Sequence, residues 1–428
     1  MKKKLLLIII LLFGVLFVSC SGDESDKPKT PILIDPSPIT ITAASTEFLF
    51  SGEDLELTGS NFVNKDYPTK VFVNEVEVTP KEITDTKILI SSPNVKSGIN
   101  VVRIQIQNIN SIPLNFNAIA KGWNKINALG AINIYKSTVL ENSKTIFSLL
   151  DTEIPKKLEA KSNGYTQTTI NVPGFFEDFQ MIDDKAGILI STPNASFTDD
   201  AFQNINKITT EYKFTSSKLN IGFLESNQCI LNTMLGGQLY TNDNGKTFVK
   251  NQPPSWAINS NTGKIKLNVK TFGKSTSNGK FYQLGIIQDL NYNIDNNKNA
   301  VLESPTGYSD WAIKDTISKT GKNLSYNYKF KNINQILTIN QVDNTLVQST
   351  DMMKSWTVLR TNVNSVFLRT EKEWYIQSGD KLLVTKNSGA TWELEMDLPV
   401  NSFISDISFS KSKIIISGFK GLHYLKLE

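Results

Sequence analysis

One histidine, two cysteines and three arginines in 428 residues set the first limits on what this chain does. A single imidazole, His423, sits in the closing run "GLHYLKLE" and reads as a strand residue, so His-based metal sites and catalytic triads are excluded by count. Cys20 and Cys229 stand too far apart for any CxxC metal motif, and Cys229 in "NQCILNT" reads as a buried, inert thiol. No metal and no cofactor is expected. Helical periodicity is nearly absent, which leaves an all-β chain. With 45 basic and 41 acidic residues interspersed, there is no localised cationic surface for nucleic acid.

What is present begins with Lys2, Lys3 and Lys4 followed by an apolar run from Leu5 to Val18, too short for a stable membrane span and suited to an export signal. The run ends in "LFVSC", which resembles the lipobox of bacterial lipoproteins. The resemblance implies a signal peptide over 1–19 and acylation of Cys20, giving an anchor strong enough to hold the chain on a membrane. Residues 20–30 form a polar tether with Asp23, Glu24 and Asp26, similar to the export signal of surface-displayed Bacteroidetes lipoproteins. The expected location is the outer membrane, lipid-anchored and facing the cell surface, with a periplasm-facing anchor as the alternative. The mature chain is long enough for two or more domains.

From 31 to 120, short alternating strands punctuated by turn residues predict a small β-sandwich. Leu55 and Leu57 share a face before Gly59 and Asn61 turn the chain, and "KVFVNEVEVTP" reads as a hairpin around Asn74 and Glu75. Together with Gly52, Asp54, Phe62, Thr86 and Pro93, these residues resemble the IPT/TIG family of immunoglobulin-like domains. Glu75 departs from the usual hairpin glycine and implies a strained φ there. The expected role is a stalk.

Residues 121–428 recur with a coarse repeat, the signature of a solenoid or propeller. "LYTNDNGKTF" carries Thr241, Asp243, Gly245, Thr247 and Phe248; "TKNSGATW" carries Thr385, Asn387, Gly389, Thr391 and Trp392. A third copy, "STDMMKSW", has Ser349, Asp351, Ser355 and Trp356, with Met353 in the glycine position. These runs resemble the Asp-box (BNR) motif of sialidase-like and photosystem II assembly-factor-like propellers. The motif is structural: hydroxyl and carboxylate cap a tight hairpin, glycine takes the left-handed conformation, and the aromatic packs between blades. A calcium loop would need more converging oxygens than Asp243 and its neighbours offer. Outer strands near Thr168, Phe202, Phe248, Trp311, Trp356, Trp392 and Trp123 predict seven blades. Trp123 should complete the last blade by pairing beside His423 and Tyr424.

A sialidase needs three arginines on one substrate carboxylate, and Arg103 lies in the sandwich, leaving Arg360 and Arg369. A glycoside hydrolase needs only two carboxylates, but no paired acidic motif stands at a strand end. The chain therefore reads as a non-catalytic recognition module for a glycan or a protein, with a scaffold for an envelope complex as alternative and a glycoside hydrolase behind both. Candidate ligand-face aromatics are Trp256 in "NQPPSWAINS" and Phe175 and Phe176 in "NVPGFFEDF", on loops opposite the Asp-box turns.

Overall fold

A computed structural model describes residues 37–151, 155–161, 164–171, 175–181, 183–192, 194–208, 221–225, 228–232, 238–243, 245–251, 265–289, 298–318 and 327–428. Every regular element among them is a strand. The first ten strands make two facing sheets. Thr40–Ala44, Leu55–Ser60, Lys87–Ile90 and Glu82–Ile83 form one, in that order. Phe48–Phe50, Leu114–Ile119, Gly98–Ile106, Thr69–Val73 and Val76–Val78 form the other, with Ile109–Asn110 beside Gly98–Ile106. Alternate residues Leu55, Leu57, Val71, Val73, Val102 and Ile104 point inward and meet in one core, as period-two patterning requires.

Two motif positions acquire physical reasons. Asn74 and Glu75 turn the hairpin at φ 49° and 66°, and the Asn74 amide donates to Asn100 Oδ1 at 2.7 Å while its oxygen accepts from the Val101 amide at 3.1 Å. Glu75 tolerates the left-handed conformation and holds Arg103 at 2.8 Å. Gly59 does not turn the chain, contrary to expectation; it lies within Leu55–Ser60, where a Cβ would overlap the Thr40 carbonyl and the Phe62 ring. The turn belongs to Asn61, at φ 62°.

Seven further sheets follow among the described residues. We number them by their first strands: sheet 1 from Ile134–Val139, sheet 2 from Phe175–Met181, sheet 3 from Ile221–Glu225, sheet 4 from Ile265–Lys274, sheet 5 from Ile336–Asn340, sheet 6 from Ser365–Leu368 and sheet 7 from Ile404–Phe409. Each is an antiparallel meander of three or four strands. In sheet 5 the innermost strand is reduced to one bridge, Lys329 to Leu337, so the sheet begins with its second strand.

Apolar side chains fill every gap between successive sheets, making a closed β-propeller. Phe147 and Leu149 meet Phe179 and Leu189 between sheets 1 and 2, Ile188 and Ile190 meet Cys229 and Leu231 between 2 and 3, and Ile230 meets Phe281 and Leu302 between 3 and 4. The series continues with Tyr282 and Ile336, Leu337 and Trp374, then Tyr375 and Ile414. It closes with Ile415 and Leu425 of sheet 7 against Ile134 and Ile146 of sheet 1. Closure is made by chain ends far apart in sequence. Gly122–Lys125 is the fourth strand of sheet 7, with Trp123 opposite Lys426 and Lys125 opposite Tyr424. Trp123 donates to Glu395 Oε1 at 2.8 Å and packs partly buried between sheets 6 and 7. Closing the ring fills the last gap between sheets and leaves only short outer edges.

The sandwich does not hang free of this ring. Phe48, Phe50 and Ile119 share a core with Ile126, Leu158 and Leu427, and Lys144 donates to the Phe48 carbonyl at 2.6 Å and pairs with Glu53 at 2.6 Å. Cys229 is fully buried in its strand and burial pushes its thiol far above the usual range. It should therefore resist a thiol reagent such as dithionitrobenzoate in the native protein and react at once in denaturant; rapid native labelling would contradict this packing.

Candidate functional site

Within each four-stranded sheet the first and third strands run in the same direction, so first-to-second hairpins and third-to-fourth turns share one end of the ring. The second-to-third loops and the connections between sheets occupy the other end, here called the loop face.

At the turn end, Thr241 Oγ1 donates to Asp243 Oδ1 at 2.7 Å and accepts the Gly245 amide at 3.0 Å, while the two Asp243 oxygens accept from the Thr247 amide and hydroxyl at 2.9 and 2.6 Å. Ser349, Asp351 and Ser355 reproduce these bonds, with Met353 donating its amide at 2.8 Å. Thr385, Asn387, Gly389 and Thr391 form the third copy, in which the Asn387 amide donates to Thr391 Oγ1. The fifth position is left-handed in all three, at φ 88°, 73° and 87°. Met353 adopts it without being glycine and is fully buried among Tyr328, Ile333 and Ile336. Hydrogen bonds from the Ser355 hydroxyl and amide hold the Asp351 carboxyl at about 2. The carboxylates are occupied within their own turns.

A fourth copy was not read as a turn from sequence. Thr198 Oγ1 bonds Asp200 and accepts the Phe202 amide, and Asp200 accepts both nitrogens of Asn204. Phe202 stands at φ 64°. Phe in the glycine position and Asn in the threonine position hid the pattern. After each turn the aromatic enters the gap toward the preceding sheet: Phe248, Trp356 and Trp392 all do so.

The loop face carries a cluster of aromatic side chains. Tyr135 is the second residue of sheet 1's first strand, Phe403 immediately precedes that of sheet 7, and Phe419 follows Lys413–Gly418. Phe419 stands edge-on to Tyr135 at 5.9 Å and tilted to Phe403 at 5.6 Å. Tyr135 and Phe403 remain 46% and 39% exposed, and Ile132 and Val400 on the adjoining loops are also exposed. Gly421 fixes this arrangement: at φ 73°, with the Gly130 carbonyl 2.7 Å from where a Cβ would sit, it lets the Phe419 loop lie against the entry to sheet 1. The Lys420 amide donates to Asn133 Oδ1 at 2.9 Å across the same contact. None of the three aromatics was singled out from sequence, because ring closure brings them together.

Of the residues that were, Phe175 and Phe176 lie in the first strand of sheet 2, opposite Thr192 and Ser191, and not in a connecting loop. Trp256, the tether and Cys20 lie outside the described residues. His423 is buried, with Nε2 3.3 Å from Ser137 Oγ, and burial pulls its pKa down to about 3, so it is a neutral strand residue at physiological pH.

The ring axis is polar. Lys136 pairs with Asp178 at 3.0 Å and reaches Gln180 Oε1 at 3.3 Å, joining sheets 1 and 2. Across the axis, the first strands of sheets 4, 6 and 7 and the segment around Lys329 enclose a cavity of about 310 Å³ with Phe272, Lys329, Lys331, Phe367, Asp406 and Phe409 among its walls. The arginines are committed elsewhere. Arg103 is in the sandwich, Arg360 lies over the Trp392 ring at 5.8 Å, and Arg369 bonds Glu373 and Glu428. No arginine triad can assemble.

Comparison with known proteins agrees with this architecture. No curated protein matches the chain. YCF48 bound to D1 peptide superposes with a TM-score of 0.52 at 16% identity, over 72% of this chain and 97% of that one. YCF48 from Cyanidioschyzon merolae gives 0.52 at 11% identity, over 72% and 99%. An auxiliary nutrient binding protein from Bacteroides thetaiotaomicron covers 92% of this chain and 98% of its own, at 11% identity and a TM-score of 0.39. Residues 38–118 match the IPT/TIG domain, so the chain carries an immunoglobulin-like sandwich of that kind followed by a β-propeller similar in fold to YCF48.

Proposed function

We propose that this protein is a non-catalytic recognition module, held on the outer membrane by lipid on Cys20 and displayed at the cell surface, whose propeller docks a polypeptide partner on its loop face. The observation that carries the reading is the exposed cluster of Tyr135, Phe403 and Phe419. Packed aromatics left partly open to water are the usual anchors of a protein interface. Ile132 and Val400 extend the cluster with aliphatic surface, which suits apolar side chains of a peptide better than the hydroxyl-rimmed faces of a sugar. A propeller of the same fold, YCF48, is known with a peptide bound. The Asp-box turns, at the opposite end, serve as clamps on the blades, and the same docking surface would serve an envelope scaffold.

The purified ring should bind members of a random peptide array and no member of a glycan array, with Phe403→Ser or Tyr135→Ser weakening peptide binding roughly tenfold or more. Glycan binding that survives both substitutions would overturn the reading. For the anchor, Cys20→Ser should leave the protein soluble or as uncleaved precursor, because the acyl chains supply the membrane affinity. Normal processing and outer-membrane fractionation of that variant would show that no lipid is attached.

A further inference from the structure

The axial cavity raises a separate question, because two of its lysines form no hydrogen bond or ion pair among the described residues. In the segment leading into sheet 5, Tyr328 and Phe330 turn into the gap between sheets 4 and 5. Strand alternation therefore sends Lys329 and Lys331 the other way, into the cavity. Neither ammonium group has a hydrogen bond or an ion pair among the described residues, and both are only half-exposed. Asp406, on the facing wall, accepts the Ile407 amide and forms no ion pair with either lysine. Lys136, the nearby cation of sheet 1, is already taken by Asp178. The remaining walls include Phe272, Phe367 and Phe409, which also pack into the gaps between sheets.

Two neighbouring cations in a partly dehydrated cleft repel each other and lose hydration, a cost that the Asp406 charge offsets only at Lys329. Burial lowers both lysines below their ordinary range; at Lys329 the Asp406 charge opposes the shift while Lys136 and Lys331 add to it. Sites for small molecules begin at about 300 Å³, so this polar-walled cavity has room for one compact ligand.

We propose that this cavity binds a small organic carboxylate, the carboxylate held by Lys329 and Lys331 and its apolar body lying against Phe272, Phe367 and Phe409. Asp406 then rejects more highly charged anions and is placed to accept from a hydroxyl on the ligand. This site lies on the axis toward the turn end, since its residues fall in the later parts of the first strands of sheets 4 and 6. It is distinct from the aromatic cluster of the loop face and does not depend on it.

The test uses the folded chain with benzoate, its neutral isostere benzamide, and acetate, followed by calorimetry and thermal shift. Benzoate should bind at least about tenfold more tightly than either, since both the charge and the ring are read. Lys329→Gln and Lys331→Gln should each weaken benzoate by roughly tenfold. Lys331→Gln, which gives up no hydrogen bond, ion pair or attracting charge, should melt at or above the wild-type temperature when empty. Asp406→Asn should tighten benzoate. Equal affinity for benzoate and benzamide on the wild-type protein would overturn the proposal without recourse to any variant. So would acetate matching benzoate, or benzoate binding that ignores both lysine substitutions.

Discussion

A chain ending at Leu422 should have no native propeller. The missing strand, His423–Leu427, lies between Lys413–Gly418 and Gly122–Lys125, so its loss breaks two ladders at once. It also removes Leu425 and Leu427 from the seam between sheets 7 and 1. Burying each leucine contributes about 1.5 to 3 kcal/mol, and each lost ladder bond adds about 1 kcal/mol. The sum consumes most of the 5 to 15 kcal/mol, roughly, by which a native domain is stable. All six tryptophans lie after residue 120, so tryptophan emission reports the ring alone. We expect red-shifted emission with no cooperative transition in the truncated protein. The sandwich, built on its own core of Leu55, Val71, Val102 and Phe116, should persist by far-ultraviolet circular dichroism with a lowered melting point, because Phe48, Phe50 and Ile119 lose their ring contacts. A native-like tryptophan spectrum in the truncated chain would show that closure is dispensable.

Lys413→Met should be the most costly single substitution at the seam. The Lys413 ammonium is buried and donates to the carbonyls of Leu140, Glu141 and Ser143 at 2.9, 2.5 and 2.9 Å, pinning sheet 7 to the first hairpin of sheet 1. Glu141 completes the clamp by accepting the Ser412 amide at 3.1 Å and hydroxyl at 2.7 Å. Burial opposes the Glu141 charge, but the Ser412 and Ser410 hydroxyls together with Lys413 hold its carboxyl at about 2. Methionine fills the stem's volume and leaves three carbonyls without a donor, which costs about 3 kcal/mol or more. Urea unfolding should show a lower midpoint with an unchanged slope. A loss under about 0.5 kcal/mol, the range of an ordinary surface change, would mean that water replaces the ammonium without penalty.

Local chemistry made much of this fold readable. The Thr241, Ser349 and Thr385 turns announce themselves because their hydrogen bonds close within seven or fewer residues, and the aromatics that follow mark outer strands. Even the pairing of Trp123 with the C-terminal strand could be argued, since an unfinished last blade demands a strand from elsewhere. The Thr198 turn escaped because its left-handed residue is Phe202, whose ring is buried between sheets 1 and 2 and so offsets the backbone strain. The candidate sites were less legible for a different reason. Tyr135 stands at one end of the ring segment, and Phe403 and Phe419 near the other. Lys329, Phe367 and Asp406 come from three different sheets around the axis. No window of sequence contains either set, and only closure of the ring assembles them.

Hydrogen exchange of the two paired terminal segments, read peptide by peptide, tests closure most directly. If Gly122–Lys125 is the fourth strand of sheet 7, its amides and those of His423–Leu427 should be protected to the same free energy and should open together as denaturant rises. Fast exchange in Gly122–Lys125 beside a protected His423–Leu427 would contradict the closed ring, and with it the juxtaposition of Tyr135, Phe403 and Phe419 on which the docking surface rests.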